Sequence, residues 1–203
     1  MIAKFRSDEN GVSVLEFALI APVVLMMMMG VMDIGHSFFV RGTLDGAVQD
    51  AARSSSLEGA TSLTQQDLID ERVASMIREI APNATVTVSR RYYKTFSTAA
   101  LARAEQVFEP TLNANLKCDR GESFMDENGN GVWDADGGSE GQGGARDIVI
   151  ITFKISYPRL FPLAAMLGWP ANVEMESGSI LANQPYGDQT AFGAAVQVNC
   201  PSV

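Results

Sequence analysis

The sequence predicts an α+β chain: a long N-terminal helix, transmembrane in its first half, followed by a small antiparallel sheet with packed helices. Three observations point there. The run from Val12 to Met32 holds a single charge, Glu16. The stretch "TQQDLIDERVASMIREIAPN" repeats apolar residues at helical spacing, and later segments alternate or run apolar in the manner of strands. The 203 residues suffice for one membrane segment and one modest globular domain. The chain divides into a hydrophilic leader (1–11), a transmembrane helix (12–32), its extracytoplasmic continuation (33–58) and an extracytoplasmic α+β domain (59–203).

At ~1.5 Å per residue, a helix over residues 12–32 covers ~31 Å, about one hydrocarbon thickness. Lys4 and Arg6 precede it and Asp33 follows it. The positive-inside tendency places the N-terminus in the cytoplasm and the rest outside. A cleaved secretory signal fits poorly, because the run is long for such a signal and no A-x-A site closes it. Pro22 removes one amide donor, frees the Ala18 carbonyl and bends the helix slightly. Past Asp33, Ile34, Phe38, Leu44, Val48, Ala51 and Ala52 recur on one side. Gly42, Gly46 and Ala47 permit close approach of another helix. His36 is expected as a polar residue at the membrane surface.

Glu16 has two readings. With Ser13 it makes a capping box, the acid folding back on the helix start. Alternatively, a cut after Gly11 makes Val12 residue one and Glu16 residue five. A short hydrophilic leader ending in glycine, then an apolar helix with Glu at its fifth position, resembles the type IV prepilin pattern. That resemblance implies a prepilin peptidase as processing partner. It also implies pairing of Glu16 with the N-terminal amine of a neighbouring subunit. A carboxylate in lipid is costly unless a cation meets it, and cleavage would create that cation at Val12.

The longer string "GVSVLEFALIAPVVLMMMMGVMDIGHSFFVRGTLDGAVQDAAR" is more specific. It carries the Glu16-Phe17-Ala18 step, Pro22, the apolar run, and a tail with Leu44, Ala47, Ala51, Ala52 and Arg53. It resembles the N-terminal signature of the TadE-like pseudopilin family over about residues 11–55. The resemblance implies a pilin-like first helix and action in assembling Flp or tight-adherence pili, or in related secretion and adhesion machinery. The implied partners are membrane lipid and other pilin-like subunits. The implied location is the bacterial inner membrane, single-pass, with the outer domain periplasmic or on the cell surface or pilus.

In the outer domain, Leu68, Ile69, Val73, Met76, Ile77 and Ile80 line one face of a helix that Thr64 can cap and Pro82 follows. "ATVTVSRRYY" reads as a strand, residues 98–109 as a weaker helix. "DIVIITFKISY" is apolar on both faces at Ile148 to Ile151 and belongs in the middle of a sheet. "PRLFPLAAMLGWP" is either a core flap or an exposed apolar loop, and the core flap is expected. "ANVEMESGSILAN" supplies another strand.

"DENGNGVWDAD" has the oxygen spacing of a calcium loop. Asp126, Asn128, Asn130 and Asp134 fall at positions 1, 3, 5 and 9, Val132 offers its carbonyl at 7, and Gly131 sits at 6. Gly137 stands where an EF-hand has its bidentate Glu, so Asp136, Glu140, Asp119 or Glu122 would close the shell. A structural Ca2+ is expected; the alternative is an Asx-rich turn. The two cysteines, Cys118 and Cys200, form a disulfide if the domain is exported, and are otherwise buried thiols.

A net charge of −9 and the lack of a basic stripe argue against nucleic acid. No nucleophile elbow, HExxH or P-loop is present, and His36 is the one histidine, so no enzyme is expected. A second functional reading is a calcium-dependent adhesin, or binding module, tethered by an uncleaved helix.

Overall fold

The computed structural model describes residues 12–57, 62–101, 105–108, 117–161, 168–184 and 195–200. The leader lies outside them, as do residues 162–167 of the apolar excursion. The elements in chain order are α1 (Val12–Ser55), α2 (Leu63–Ile80), β1 (Thr85–Tyr93), α3 (Phe96–Leu101), β2 (Val107–Phe108), β3 (Ser123–Asp126), β4 (Ser139–Glu140), β5 (Ile148–Pro158), β6 (Asn172–Ala182) and β7 (Val196–Asn199). The fold is α+β: a long apolar N-terminal helix, then a second helix packed with an antiparallel sheet.

α1 runs unbroken through Pro22. None of its residues from Val12 to Met32 is buried. From Val40 onward the helix does a different job. Val40, Leu44, Ala47, Val48, Ala51, Ala52 and Ser55 are buried, on one face at spacings of three and four residues. That face meets α2 and the sheet. Ile34 and Phe38, expected on the same side, are exposed, Phe38 at 72%. The domain meets α1 along one face of the helix, and Phe38 lies roughly half a turn away from Val40 on that face. Gly42 and Gly46 are open to solvent while Ala47 is buried, so the small residues divide between the two faces.

α2 is capped by Ser62, whose hydroxyl accepts the Gln65 N–H at 3.3 Å, rather than by Thr64, which lies inside the helix. Ile69, Val73, Ala74 and Ile77 are buried. Leu68 and Met76 are exposed, because α2 touches its neighbours along a narrow stripe and one residue is ~100° of turn.

The main sheet has order β4-β1-β5-β6, antiparallel throughout. β5 is an interior strand. Val149, Ile151, Phe153, Ile155 and Tyr157 point to the helices and are almost wholly buried, worth about 1.5–3 kcal/mol each when fully removed from water. Ile148 and Ile150, on the opposite face, are half-buried.

Two polar links fasten the helices to this sheet. Arg90 on β1 grips Asp70 on α2 through both terminal guanidinium nitrogens. At the end of α1, Gln142 Nε2 donates to the Ser55 carbonyl (3.0 Å) and to Asn183 Oδ1 (3.2 Å). Asn183 Nδ2 returns to the carbonyls of Gln142 (2.7 Å) and Gly144 (2.8 Å).

A second sheet, β2-β3-β7, was not expected from the sequence. Its buried apolar residue is Phe124. Val107 and Phe108 pair with Phe124 and Ser123 instead of extending a helix over 98–109; α3 covers Phe96–Leu101. Cys118 and Cys200 are joined, Cα atoms 5.5 Å apart and 82 residues apart in sequence. The disulfide holds the C-terminal strand against the segment leading into β3.

The two faces of α1 predict opposite responses to truncation. Leu44→Ala should cost about 2–5 kcal/mol of domain stability. Phe38→Ala should cost below about 0.5 kcal/mol. Urea unfolding of the detergent-solubilised, disulfide-intact chain measures both, and equal losses would contradict the packing.

Candidate functional site

The apolar half of α1 is long and apolar enough to cross a membrane. Val12 is its first described residue, and Gly11 lies outside the described set. Ser13 is inside the helix, one residue past its start. Glu16 is exposed on the first turns, with no hydrogen-bond or ion-pair partner among the described residues. Val14, Leu15, Phe17, Leu19 and Ile20 surround it, all exposed.

The end of the apolar run is a joint between helix and domain. Asp33 accepts Arg159 Nη1 at 2.7 Å on one carboxylate oxygen and the Leu160 N–H at 3.1 Å on the other. Both side chains of this ion pair are largely buried. One turn on, His36 Nε2 donates to the Ile80 carbonyl at 3.0 Å, satisfying the end of α2. The His36 ring stands edge-on to Tyr157, centroids 5.7 Å apart and planes at 80°. Burial pushes the Tyr157 hydroxyl above its usual pKa. His36 is therefore a fastening between α1, α2 and β5.

The acidic loop lies at the other end of the sheet. Tyr93 pairs with Ile148 there, whereas Pro158, next to Arg159, lies at the Asp33 end. Eleven residues of β5 separate the two ends by roughly 33 Å. Asp126 is buried and organises the turn. Its Oδ1 accepts the N–H groups of Gly129 (2.6 Å) and Asn130 (3.2 Å), its Oδ2 that of Gly131 (2.7 Å). Gly129 and Gly131 have φ of 78° and 75°, values that favour glycine. The amide oxygens of Asn128 and Asn130 accept the N–H groups of Asn130 and Val132. Their NH2 groups both donate to Asp134 Oδ2, at 2.8 and 2.7 Å.

The structure thus brings Asp126, Asn128, Asn130 and Asp134 together around one turn. Asp136 is engaged elsewhere: Arg91 Nη1 lies 2.6 Å from its carboxylate, and the Tyr93 hydroxyl donates to it at 2.8 Å. Gly138 also donates to Asp136, and a Cβ there would stand 2.5 Å from the Tyr93 ring, so only glycine fits. Glu122 caps its own turn by accepting the Asp119 N–H at 2.9 Å. Among the described residues no three His, Cys, Asp or Glu side chains are gathered for a metal; two of the side chains at this turn are amides.

One acid at the loop escaped sequence reading. Glu105 is 2% exposed. It accepts the N–H groups of Glu127 and Asp134, both at 3.0 Å, and its carbonyl accepts Trp133 Nε1 at 3.0 Å. Burial pushes its carboxyl up, partly offset by those two N–H groups, with Asp126 and Asp134 adding repulsion. Glu105 sits inside the stretch read as a helix, more than twenty residues before the loop. No local pattern joins them.

Burial alone would raise the Asp136 carboxyl; hydrogen bonds from Arg91, Tyr93 and Gly138 outweigh it and hold the group below the ordinary value of 3.8. A depressed folded pKa means its stabilisation is complete above that value and lost as pH falls through the lower folded one. Asp136→Asn should therefore flatten the acid side of the stability curve below about pH 4. Unfolding midpoints measured across pH check this, and an unchanged acid limb would contradict it.

No curated protein and no solved structure matches the chain. One family model does, and it falls on the segment whose apolar run, Glu16 and small-residue tail resemble the same family. Residues 11–53, nearly the whole of α1 with the glycine before it, match the family model described as TadE-like protein.

Proposed function

We propose that this chain is a membrane-anchored, pilin-like protein acting in the assembly of Flp or tight-adherence pili, or of a related secretion or adhesion system. The observation that carries this is one continuous helix whose apolar half is exposed and whose other half holds the domain, coincident with the TadE-like match. The role is structural rather than catalytic. Lys4 and Arg6 before the run place the N-terminus in the cytoplasm and the domain on the periplasmic or outer side. The Cys118–Cys200 disulfide suits that oxidising side.

Glu16 is the working residue of the helix. A prepilin peptidase cutting after Gly11 leaves an ammonium at Val12. In a neighbouring pilin-like subunit that cation meets Glu16 and offsets the cost of a carboxylate in lipid. N-terminal sequencing of membrane-extracted protein should begin at Val12. Glu16→Leu should insert in the membrane yet abolish filament assembly, counted by electron microscopy of the producing strain. An intact Met1 in assembled material, with assembly surviving Glu16→Leu, would refute this reading.

The 126–136 loop is proposed as a structural Ca2+ site. Its support is the oxygen spacing, the two left-handed glycines and the buried Glu105 beneath it. Binding would turn the Asn128 and Asn130 amides over, replacing their N–H groups with oxygens and letting the cation take their place on Asp134. Asp136, committed to Arg91, would stay out of the shell. Saturating calcium should raise the unfolding temperature of the full chain relative to chelator, by the equivalent of about 2.7 kcal/mol at a hundredfold excess over Kd. In Asp126→Asn that calcium-dependent increment should vanish. No increment in the unmodified chain leaves an Asx turn.

A further inference from the structure

We propose that the tip of the β5–β6 hairpin, carrying Leu160 and Trp169, rests in the lipid headgroup layer as a second membrane contact beside α1. This rests on the reading of α1 as a membrane anchor. Asp33 is the first charged residue after the apolar run. Its carboxylate holds both Arg159 and the Leu160 N–H, so the hairpin tip is fixed at the level where the helix leaves the hydrocarbon. Arg159 in turn orders the other arm of the tip. Its backbone N–H donates to the Ala171 carbonyl at 3.1 Å, its Nε to the Pro170 carbonyl at 3.1 Å, and its guanidinium lies 5.9 Å from the Trp169 ring centroid.

Leu160 and Trp169 are nevertheless 49% and 54% exposed. A core flap would have buried them. Burial against the domain is thus not what Leu160 and Trp169 achieve, although the arms that carry them are tightly held. A tryptophan with an apolar ring and one N–H donor is the side chain best suited to the boundary between acyl chain and headgroup. Arg159 is stacked near that ring and neutralised by Asp33, so no uncompensated charge is carried into the boundary. The occupant is a lipid surface, continuous with the lipid around Val31, Met32 and Ile34, which are exposed on the adjoining helix turn. Two membrane contacts would stop the domain from tilting about the helix exit.

The chain has two tryptophans, and they report on opposite ends of the domain. Trp133 is in the acidic loop at the far end of the sheet; Trp169 is at the tip. The full chain is reconstituted into phosphatidylcholine vesicles with bromine on the upper acyl carbons, and tryptophan emission is compared with unbrominated vesicles. Retention through carbonate extraction reports the anchor separately. The expected result is a retained protein with emission quenched by brominated lipid, quenching lost in Trp169→Phe and kept in Trp133→Phe. If the protein is retained but brominated lipid leaves its emission unchanged, or if Trp133→Phe abolishes the quenching, the tip does not touch lipid, while the anchor stands. If carbonate removes the protein, the anchor reading fails and this proposal with it.

Discussion

One rigid helix must satisfy two surroundings, and the rest of the molecule is arranged around that demand. Over its first half α1 presents apolar side chains in every direction. Over its second half only one stripe is apolar and buried. A helix cannot change direction between these halves without breaking backbone hydrogen bonds, so the domain must come to the helix. It does so by packing α2 and the inner face of β5 and β6 along the stripe from Val40 to Ser55. Dispersion and burial along that stripe set the orientation of the sheet.

Polar groups then fix the ends, where apolar packing gives out. Next to the apolar run, Asp33 and His36 bind the end of β5 and the C-terminus of α2. At the far side, Gln142 and Asn183 bond to each other through their amides, and Gln142 donates to the Ser55 carbonyl. Buried amides and charges without partners are costly, so each of these contacts specifies a position along the helix that sliding would destroy. The second half of the helix is thereby held near both of its ends by the same domain. A pull or tilt applied to the domain would be transmitted to the apolar half.

The outer end of the domain is built on a different principle. Its loops are too acidic and glycine-rich to form a large core, and Phe124 is the main apolar residue buried in the second sheet. Order comes instead from carboxylates accepting backbone N–H groups at Asp126, Glu105 and Asp136, and from the Cys118–Cys200 bond. These are short-range and directional, so this end depends on pH and on covalent closure in a way the helix–sheet core does not.

Much of this was legible in the sequence because it follows from local periodicity. The unbroken apolar run determined α1. The i, i+4 pattern at Ile69, Val73 and Ile77 determined α2. The doubly apolar stretch at Ile148 to Ile151 determined an interior strand. The glycines at 129 and 131 take the left-handed conformation that the sharp turn expected there requires, while its organisation by Asp126 came only with the structure. The tertiary structure alone decided what depended on partners distant in the chain. Phe38 and Leu68 fit an apolar face by spacing yet stay exposed among the described residues. Val107 became strand because Phe124 lay beside it. Glu105 reached the loop through folding, Asp136 was drawn to Arg91, and Arg159 met Asp33 across 126 residues. A side chain's periodicity is written in its neighbours along the chain. Its partner is settled only when the sheet and helices have been brought to their final distances, because hydrogen bonds and ion pairs act over a few ångströms.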